Sequence, residues 1–279
     1  MKILTLNLHT YQELDFNQFL SLEEFINAYK PVQQTIADFI TMKDVDFAFF
    51  QEAGQHVDDR RIEEKLGVNI KKSNYVKILT DIMLEDGKQY DYAWDFSHHG
   101  FGIWEEGLGI VSKYEIVGFE SRYVSNTSDA ENFTSRRIVR VSVILNARIF
   151  DLYCAHFNWQ SAGFEQEFIK LLSWIEERKN DNFIIAGDFN VPSSSQAYKI
   201  IENARVLGGR LIDCWKVSNP QNPDVPTFKG DSLEGQSRID YILIPERFQP
   251  KHCEIVLKEK VNGLNISDHF GLFCEIDED

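Results

Sequence analysis

The chain has 279 residues, 43% of them hydrophobic and 26% charged. That is an ordinary globular composition, and it excludes a collagen-like, low-complexity or disordered protein. Lys and Arg number 29 against 44 Asp and Glu, a formal charge of −15, which repels phosphate backbones at long range and disfavours tight binding of duplex DNA.

No apolar run is long enough for a transmembrane helix. The opening Met1-Lys2-Ile3-Leu4-Thr5-Leu6-Asn7 run is too short for a signal-peptide core, so the expectation is a cytoplasmic protein with no stable membrane association. Cys154, Cys214, Cys253 and Cys274 form no CxxC pair and are expected to be free thiols in or near strands. No repeat or linker divides the sequence, so residues 1–279 read as one domain with no obligate protein partner evident.

In chain order, Lys2–Leu8 reads as the first strand. Ser21-Leu22-Glu23-Glu24 is a capping-box pattern that opens a helix. Pro31 is expected to break it, with a restart over Val32–Met42. Val45–Glu52 is nearly all apolar and suits a strand buried on both faces. Val76, Leu79 and Met83 recur at helical spacing in Asn74–Leu84, with Asn74 as the cap. Tyr90–Phe96, Leu108–Ser112, Glu115–Tyr123, Arg137–Leu145 and Ile149–His156 read as successive strands. Phe164, Phe168, Leu171, Leu172 and Ile175 mark a helix over Ser161–Arg178. Phe183–Phe189 is a further buried strand. Ser193-Ser194-Ser195-Gln196 is a second capping box with a helix expected at once, and Ile239–Ile244, Cys253–Lys258 and Gly271–Ile276 close the series.

Many strands with a few long helices predict two sheets packed face to face and flanked by helices. Trp94–Gly107, Ser121–Arg136 and Trp215–Ser237 read as long loops, which in a compact domain tend to carry function.

The informative pattern is where the apolar strands stop: at Asn7, at Glu52, at His156-Phe157-Asn158 and at Gly187-Asp188-Phe189-Asn190. Arg238-Ile239-Asp240-Tyr241 and Ser267-Asp268-His269 follow. A carboxylate at the end of an apolar strand is costly unless paired or bound to a cation. Several carboxylates and an amide converging on one point make a hard-oxygen site suited to Mg²⁺ or Mn²⁺. Asp188 and Asn190 are two apart, so in extended geometry they point the same way. Taken singly, each piece has a plain explanation as a turn, a cap or a solvated strand end. Six of them in order are hard to explain so.

This ordered set resembles the endonuclease/exonuclease/phosphatase superfamily of metal-dependent phosphoesterases, and the matching pieces run from residue 7 to residue 269. The resemblance implies an α+β fold, a four-layer αββα sandwich of two mixed sheets with the site at one rim. It implies Glu52 as principal Mg²⁺ ligand, with Asn7 and Asp268 close to the metal. Asp188 would orient or deprotonate the attacking water, and Asn190 would hold that water or a phosphate oxygen. His269, oriented by Asp240, would stabilise charge on the phosphoryl group. His156 sits where the deoxyribonuclease and sphingomyelinase branches place a second histidine, and Glu106 is similar to that histidine's glutamate partner.

Other residues keep two readings. Arg136-Arg137 could be a phosphate fork or a surface pair. His98 could touch substrate or be solvated in a loop, as could His99. His9 faces the same way as Asn7 and either supports the site or packs. Trp104, with Trp94, Phe96 and Phe101, could stack a base, hold a lipid or simply pack. The expected function is a Mg²⁺-dependent phosphoester hydrolase using in-line attack of water. Its substrate is expected to be a small molecule rather than duplex DNA. The alternatives are a nuclease, a sphingomyelinase-like enzyme and a non-catalytic binding protein that keeps the fold.

Overall fold

The structure is a computed structural model that describes residues 1–230 and 235–277. In chain order its elements begin with β1 (Lys2–Asn7), α1 (Leu22–Lys43), β2 (Phe47–His56), β3 (Arg61–Lys65), β4 (Val68–Lys71) and α2 (Tyr75–Glu85). Then come β5 (Asp91–Gly100), β6 (Trp104–Ser112), β7 (Ile116–Tyr123), β8 (Arg137–Leu145), β9 (Arg148–His156) and α3 (Phe164–Arg178). The chain continues with β10 (Phe183–Asp188), α4 (Tyr198–Glu202), β11 (Arg205–Val206), β12 (Gly209–Asp213), α5 (Cys214–Ser218), β13 (Asp240–Pro245), β14 (Gln249–Val256) and β15 (Gly271–Asp277).

Two mixed sheets form from these strands. One has the order β14-β15-β1-β2-β6-β5, the other β11-β12-β13-β10-β9-β8-β7. The period-2 alternation of strand side chains explains how they stack. Ile3 of β1 and Phe47 and Phe49 of β2 point between the sheets, together with Leu152 and Cys154 of β9 and Ile184 and Ala186 of β10. Their neighbours Leu4, Ala48 and Phe50 point outward onto α1 and α2. Tyr153, Ala155, Phe183 and Ile185 point outward onto α3 and α4. Three apolar cores therefore lie between four layers, the expected αββα sandwich. The parallel pairs β1–β2 and β9–β10 are central and their pairing stops at Asn7–Gln51 and Asp188–His156, so Asn7, Glu52, His156 and Asp188 share one rim. β2 itself does not stop at Glu52 as expected but runs on to His56 against β6.

Several sequence expectations are corrected. Pro31 does not break the first helix, which runs unbroken across it. The carbonyl that loses its partner belongs to Asn27, which is exposed to water, and the helix is held by a buried face of Phe25, Tyr29, Val32, Ile36 and Ile40. The first capping box forms, with Ser21 accepting from the Glu24 N–H, and Asn74 caps α2 through the Lys77 N–H. The second box does not form. Ser193 Oγ bonds Asp224 instead, and α4 starts only at Tyr198.

Trp94–Gly107 is not a loop but most of the β5–β6 hairpin. The cysteines are not all free: Cys253 and Cys274 form a disulfide, leaving Cys154 and Cys214 as buried thiols. Their separation in sequence hides the pairing, because only the antiparallel β14–β15 register sets them opposite one another, with Cα atoms 4.2 Å apart. The β3–β4 ribbon was not anticipated either, since Arg-Ile-Glu-Glu-Lys shows no apolar alternation.

Candidate active site

At the shared rim β1 delivers Asn7, whose side-chain NH₂ donates to Glu52 Oε1 at 2.9 Å and to Asp188 Oδ2 at 3.1 Å. Its Oδ1 accepts from the His9 N–H at 2.9 Å. Asn7 thus bridges the two carboxylates as a donor, and its oxygen is not turned toward a metal as expected. Glu52 stands at a shift in the β2–β6 register between Phe50 and Ala53, with φ of 48°. A bulge of this kind re-aims a side chain, and a left-handed non-glycine residue is strained. Asn190 has φ of 52°, and His9, Thr10 and Tyr11 form a run of positive φ. Five of the fourteen non-glycine residues with positive φ among the described residues thus lie at or beside the convergence point, the others in turns and element ends. Gly187 explains its own place in Gly187-Asp188-Phe189-Asn190. Its φ is 151°, and a Cβ there would lie 1.9 Å from the Ala155 carbonyl oxygen across β9–β10.

Asp188 is buried and accepts the Asn190 N–H at 2.8 Å. Burial, reinforced by the nearby Asp240 carboxylate, pushes it up to about 6. Burial, reinforced by Glu106, pushes Glu52 up to about 8. His269 Nδ1 lies 2.9 Å from Asp240 Oδ2. Burial opposes its charge, but Asp240 and then Asp188 outweigh burial and raise it to about 10. His156 goes the other way. Burial, then the charges of Arg136, His98 and His269, hold it well below its ordinary value. The two histidines therefore differ in charge at neutral pH: His269 is an imidazolium, and His156 is neutral with Asn190 Nδ2 3.1 Å from its Nε2.

The expected Glu106–His156 pair does not form. Glu106 instead meets His98 Nε2 at 3.1 Å and accepts from Thr10 Oγ1 at 2.9 Å. Arg136 Nη1 occupies the space between, 3.5 Å from His156 Nδ1 and 4.0 Å from Glu106. Burial raises Glu106, yet the bond from His98 and the charges of His98 and Arg136 bring it below its ordinary value. His98 is therefore buried and paired rather than a solvated loop residue, while His99 pairs with Glu131.

Arg136 and Arg137 do not make a fork. Arg136 faces the cleft and donates to Asn158, whereas Arg137 bonds Asp95 and stacks on Tyr123. Trp104 does not reach substrate space: it is 1% exposed and stacks on Tyr11 in the core. Asp268 is one-third exposed at the rim, with Oδ1 3.6 Å from His9 Nδ1 and 4.0 Å from His269 Nε2. His9, left open by the sequence, lines the cleft and bonds Glu13.

Glu52, Glu106, Arg136, His156, Asp188, Asn190, Asp268 and His269 line one cleft of about 510 Å³. The ligand atoms of Glu52, His156 and Asp188 all lie within 4.8 Å of one another, and those of Asp188, Asp240 and His269 form a second such group. Two desolvated carboxylates whose protons are held abnormally tightly are a donor set that fits a hard divalent cation.

A profile described as "Endonuclease/Exonuclease/phosphatase family" matches residues 4–269. The chain belongs to this family. Members of the family are phosphoester hydrolases. The structure is similar to an endonuclease/exonuclease/phosphatase family protein from Leptotrichia buccalis C-1013-b (24% identity, 99% of each chain covered, TM-score 0.78). It is also similar to a mannosyl-6-phosphatase from Bacteroides thetaiotaomicron VPI-5482 (17% identity, 99% of each chain, TM-score 0.64). A third similar structure is D. rerio TDP2 complexed with a single-strand DNA product (15% identity, 99% of this chain and 98% of that one, TM-score 0.67). No curated protein matches the chain.

Phe133, Trp159 and Phe228 of this chain also line the cleft and were not singled out from the sequence. Phe133 and Trp159 each stand three positions from a motif residue, Arg136 and His156, and that proximity was the available signal. No helix among the described residues is long and apolar enough to cross a membrane.

Proposed function

We propose that the chain is a Mg²⁺-dependent hydrolase of small phosphoesters, with Mn²⁺ as a working substitute, and that residues 1–279 act as one catalytic domain. The observation that carries this reading is the convergence of Glu52, Asp188, Asn190, His156 and His269 on one cleft, with the buried Asn7 bonded to two of them. Glu52 would hold the cation, with Asp268 at the rim and Asn7 fixing the Glu52 carboxylate by its NH₂. When bound, the cation polarises a phosphoryl oxygen and offsets charge on the leaving oxygen.

The chain's own groups supply the rest. Asp188, pushed up to about 6, is a base strong enough to take a proton from water at neutral pH. Asn190 holds that water or a phosphoryl oxygen. His269, charged and fixed by Asp240, donates to the oxygen that gains charge in the transition state. His156, neutral, offers a hydrogen bond without adding charge, and Arg136 supplies a fixed positive charge behind it. Attack is in line, inverts phosphorus and forms no phosphoryl-enzyme.

Arg136 is the one Lys or Arg among the residues lining the cleft, which favours a substrate with a single phosphate over a polynucleotide, whose binding uses many cationic contacts. The Cys253–Cys274 disulfide supports an oxidising compartment over the cytoplasm.

The test is turnover of bis-p-nitrophenyl phosphate and p-nitrophenyl phosphate with Mg²⁺, with Mn²⁺ and with chelator. Metal-dependent release that disappears in Glu52→Ala supports the reading. No release under any of these conditions overturns it in favour of a binding protein.

A further inference from the structure

We propose that Phe133 and Trp159 form an aromatic platform at the mouth of the cleft, selecting phosphoesters that carry a planar ring close to a single phosphate. This rests on the phosphoester-hydrolase reading and adds the chemical class of the group beside the phosphate. The sequence has 36 Phe, Trp and Tyr residues, and all of them lie among the described ones. Only Phe101, Phe133 and Trp159 are exposed, at 59%, 60% and 46%, and all three line this cleft.

Large rings left in water forgo burial that the other aromatic side chains of this protein obtain. Chance placement on the surface would scatter them. Here they gather around the groups that would act on phosphate.

Phe133 and Trp159 come from different segments, one from the 124–136 connection and one from the turn after β9, yet their centroids are 6.5 Å apart with planes inclined at 63°. Two flat walls at that angle form a corner that suits a flat group, which gains face contact with one ring and edge contact with the other. Phe101 stands at the tip of the β5–β6 hairpin, its ring 6.3 Å from that of His9. The charges in the cleft point to the same class. The carboxyl groups of Glu52, Glu106, Asp188 and Asp268 line it against two cationic side chains, Arg136 and His269, so an uncharged group adds affinity at less electrostatic cost than further phosphates would.

The experiment compares matched substrates that share the scissile bond and differ by the ring. These are adenosine 5′-monophosphate with ribose 5-phosphate, and the 5′-phosphate methyl diester of each. The wild-type chain is expected to favour the ring-bearing member of the hydrolysed pair at least tenfold in kcat/KM. Phe133→Ala and Trp159→Ala are each expected to cut that preference about tenfold, mostly through KM, which is the size of a lost ring-stacking contact. Trp159→Phe should restore most of it.

Both positions are at the surface, and thermal melts will show the variants folded. Equal turnover of the paired substrates, or variants that leave the preference unchanged, overturns the platform. Metal-dependent turnover of bis-p-nitrophenyl phosphate, measured alongside, separates the two failures. If it persists, only the platform is wrong; if it is absent, both readings fall.

Discussion

Asp240 and His269 meet at 2.9 Å although Asp240 opens β13 of one sheet and His269 precedes β15 of the other. The pair ties the two sheets together at the rim and sets the charge of His269. A histidine raised above its ordinary value favours the folded state below about pH 6.5, and that contribution is lost as pH rises through about 10. Asp240→Asn removes the charge that holds the proton. His269 should then titrate near the ordinary histidine range by NMR, and activity should fail above about pH 7 while wild type keeps it. An unchanged His269 titration would show that Asp240 does not set its charge.

Glu52 gives a prediction about binding rather than rate. With its carboxyl pushed up to about 8, the cation must displace a proton at neutral pH. Calorimetry in two buffers of different ionisation enthalpy should show about one proton released at pH 7, with affinity falling as pH drops below about 8. Glu52→Gln should abolish the release. Binding that ignores pH between 6 and 8 would remove Glu52 from the ligand set.

His156→Ala and Asp188→Asn should each lower kcat at least about 10²-fold, the scale of a lost acid, base or fixed donor. Their signatures should differ. Asp188→Asn removes the base and should flatten the acid limb of the rate profile near pH 6. Burial and the neighbouring cations hold His156 below its ordinary value, so its loss should lower the profile at neutral pH and above without moving the limb set by Asp188. Steady-state profiles from pH 5 to 9 check both.

Away from the cleft, Arg140 Nη1 and Asp151 Oδ1 form a buried ion pair at 2.6 Å between β8 and β9. Burial works against the Asp151 charge, but bonds from Ser142 and Asn180 and the charge of Arg140 hold it below its ordinary value. A depressed carboxyl contributes stability above about pH 4 that is lost as pH falls through its folded-state value. Asp151→Ala strands a buried guanidinium and should cost about 3–5 kcal/mol in denaturant melts.

The disulfide closes a segment whose ends are 21 residues apart. Loop-closure entropy sets its contribution at about 3 kcal/mol. Dithiothreitol, or Cys253→Ser with Cys274→Ser, should lower Tm by several degrees while leaving kcat unchanged, because Cys274 lies beside Ile3, toward the end of β1 opposite the rim residue Asn7. An unaltered Tm would mean that the bond adds nothing to stability.

The sequence by itself determined the layers and the members of the rim. Alternating apolar strands and amphipathic helices must bury their faces, and the ordered residues Asn7, Glu52, His156 and Asp188 carried the family resemblance that implied one shared rim; the parallel pairing of β1 with β2 and β9 with β10 is what brings them there. The Gly187-Asp188-Phe189-Asn190 run stood out in the sequence, but the reason for its glycine, a backbone approach that excludes any Cβ, is seen only in the structure.

What the tertiary structure decided was pairing between residues far apart in sequence. Glu106 was expected to partner His156, but it meets His98, and Arg136 stands between Glu106 and His156. Trp104 could face substrate or core, and strand register turned it inward onto Tyr11. Cys253 found Cys274 through an antiparallel register that no spacing rule encodes. Periodicity fixes which face of an element is buried; which partner lies across that face depends on the register and stacking of the whole sandwich.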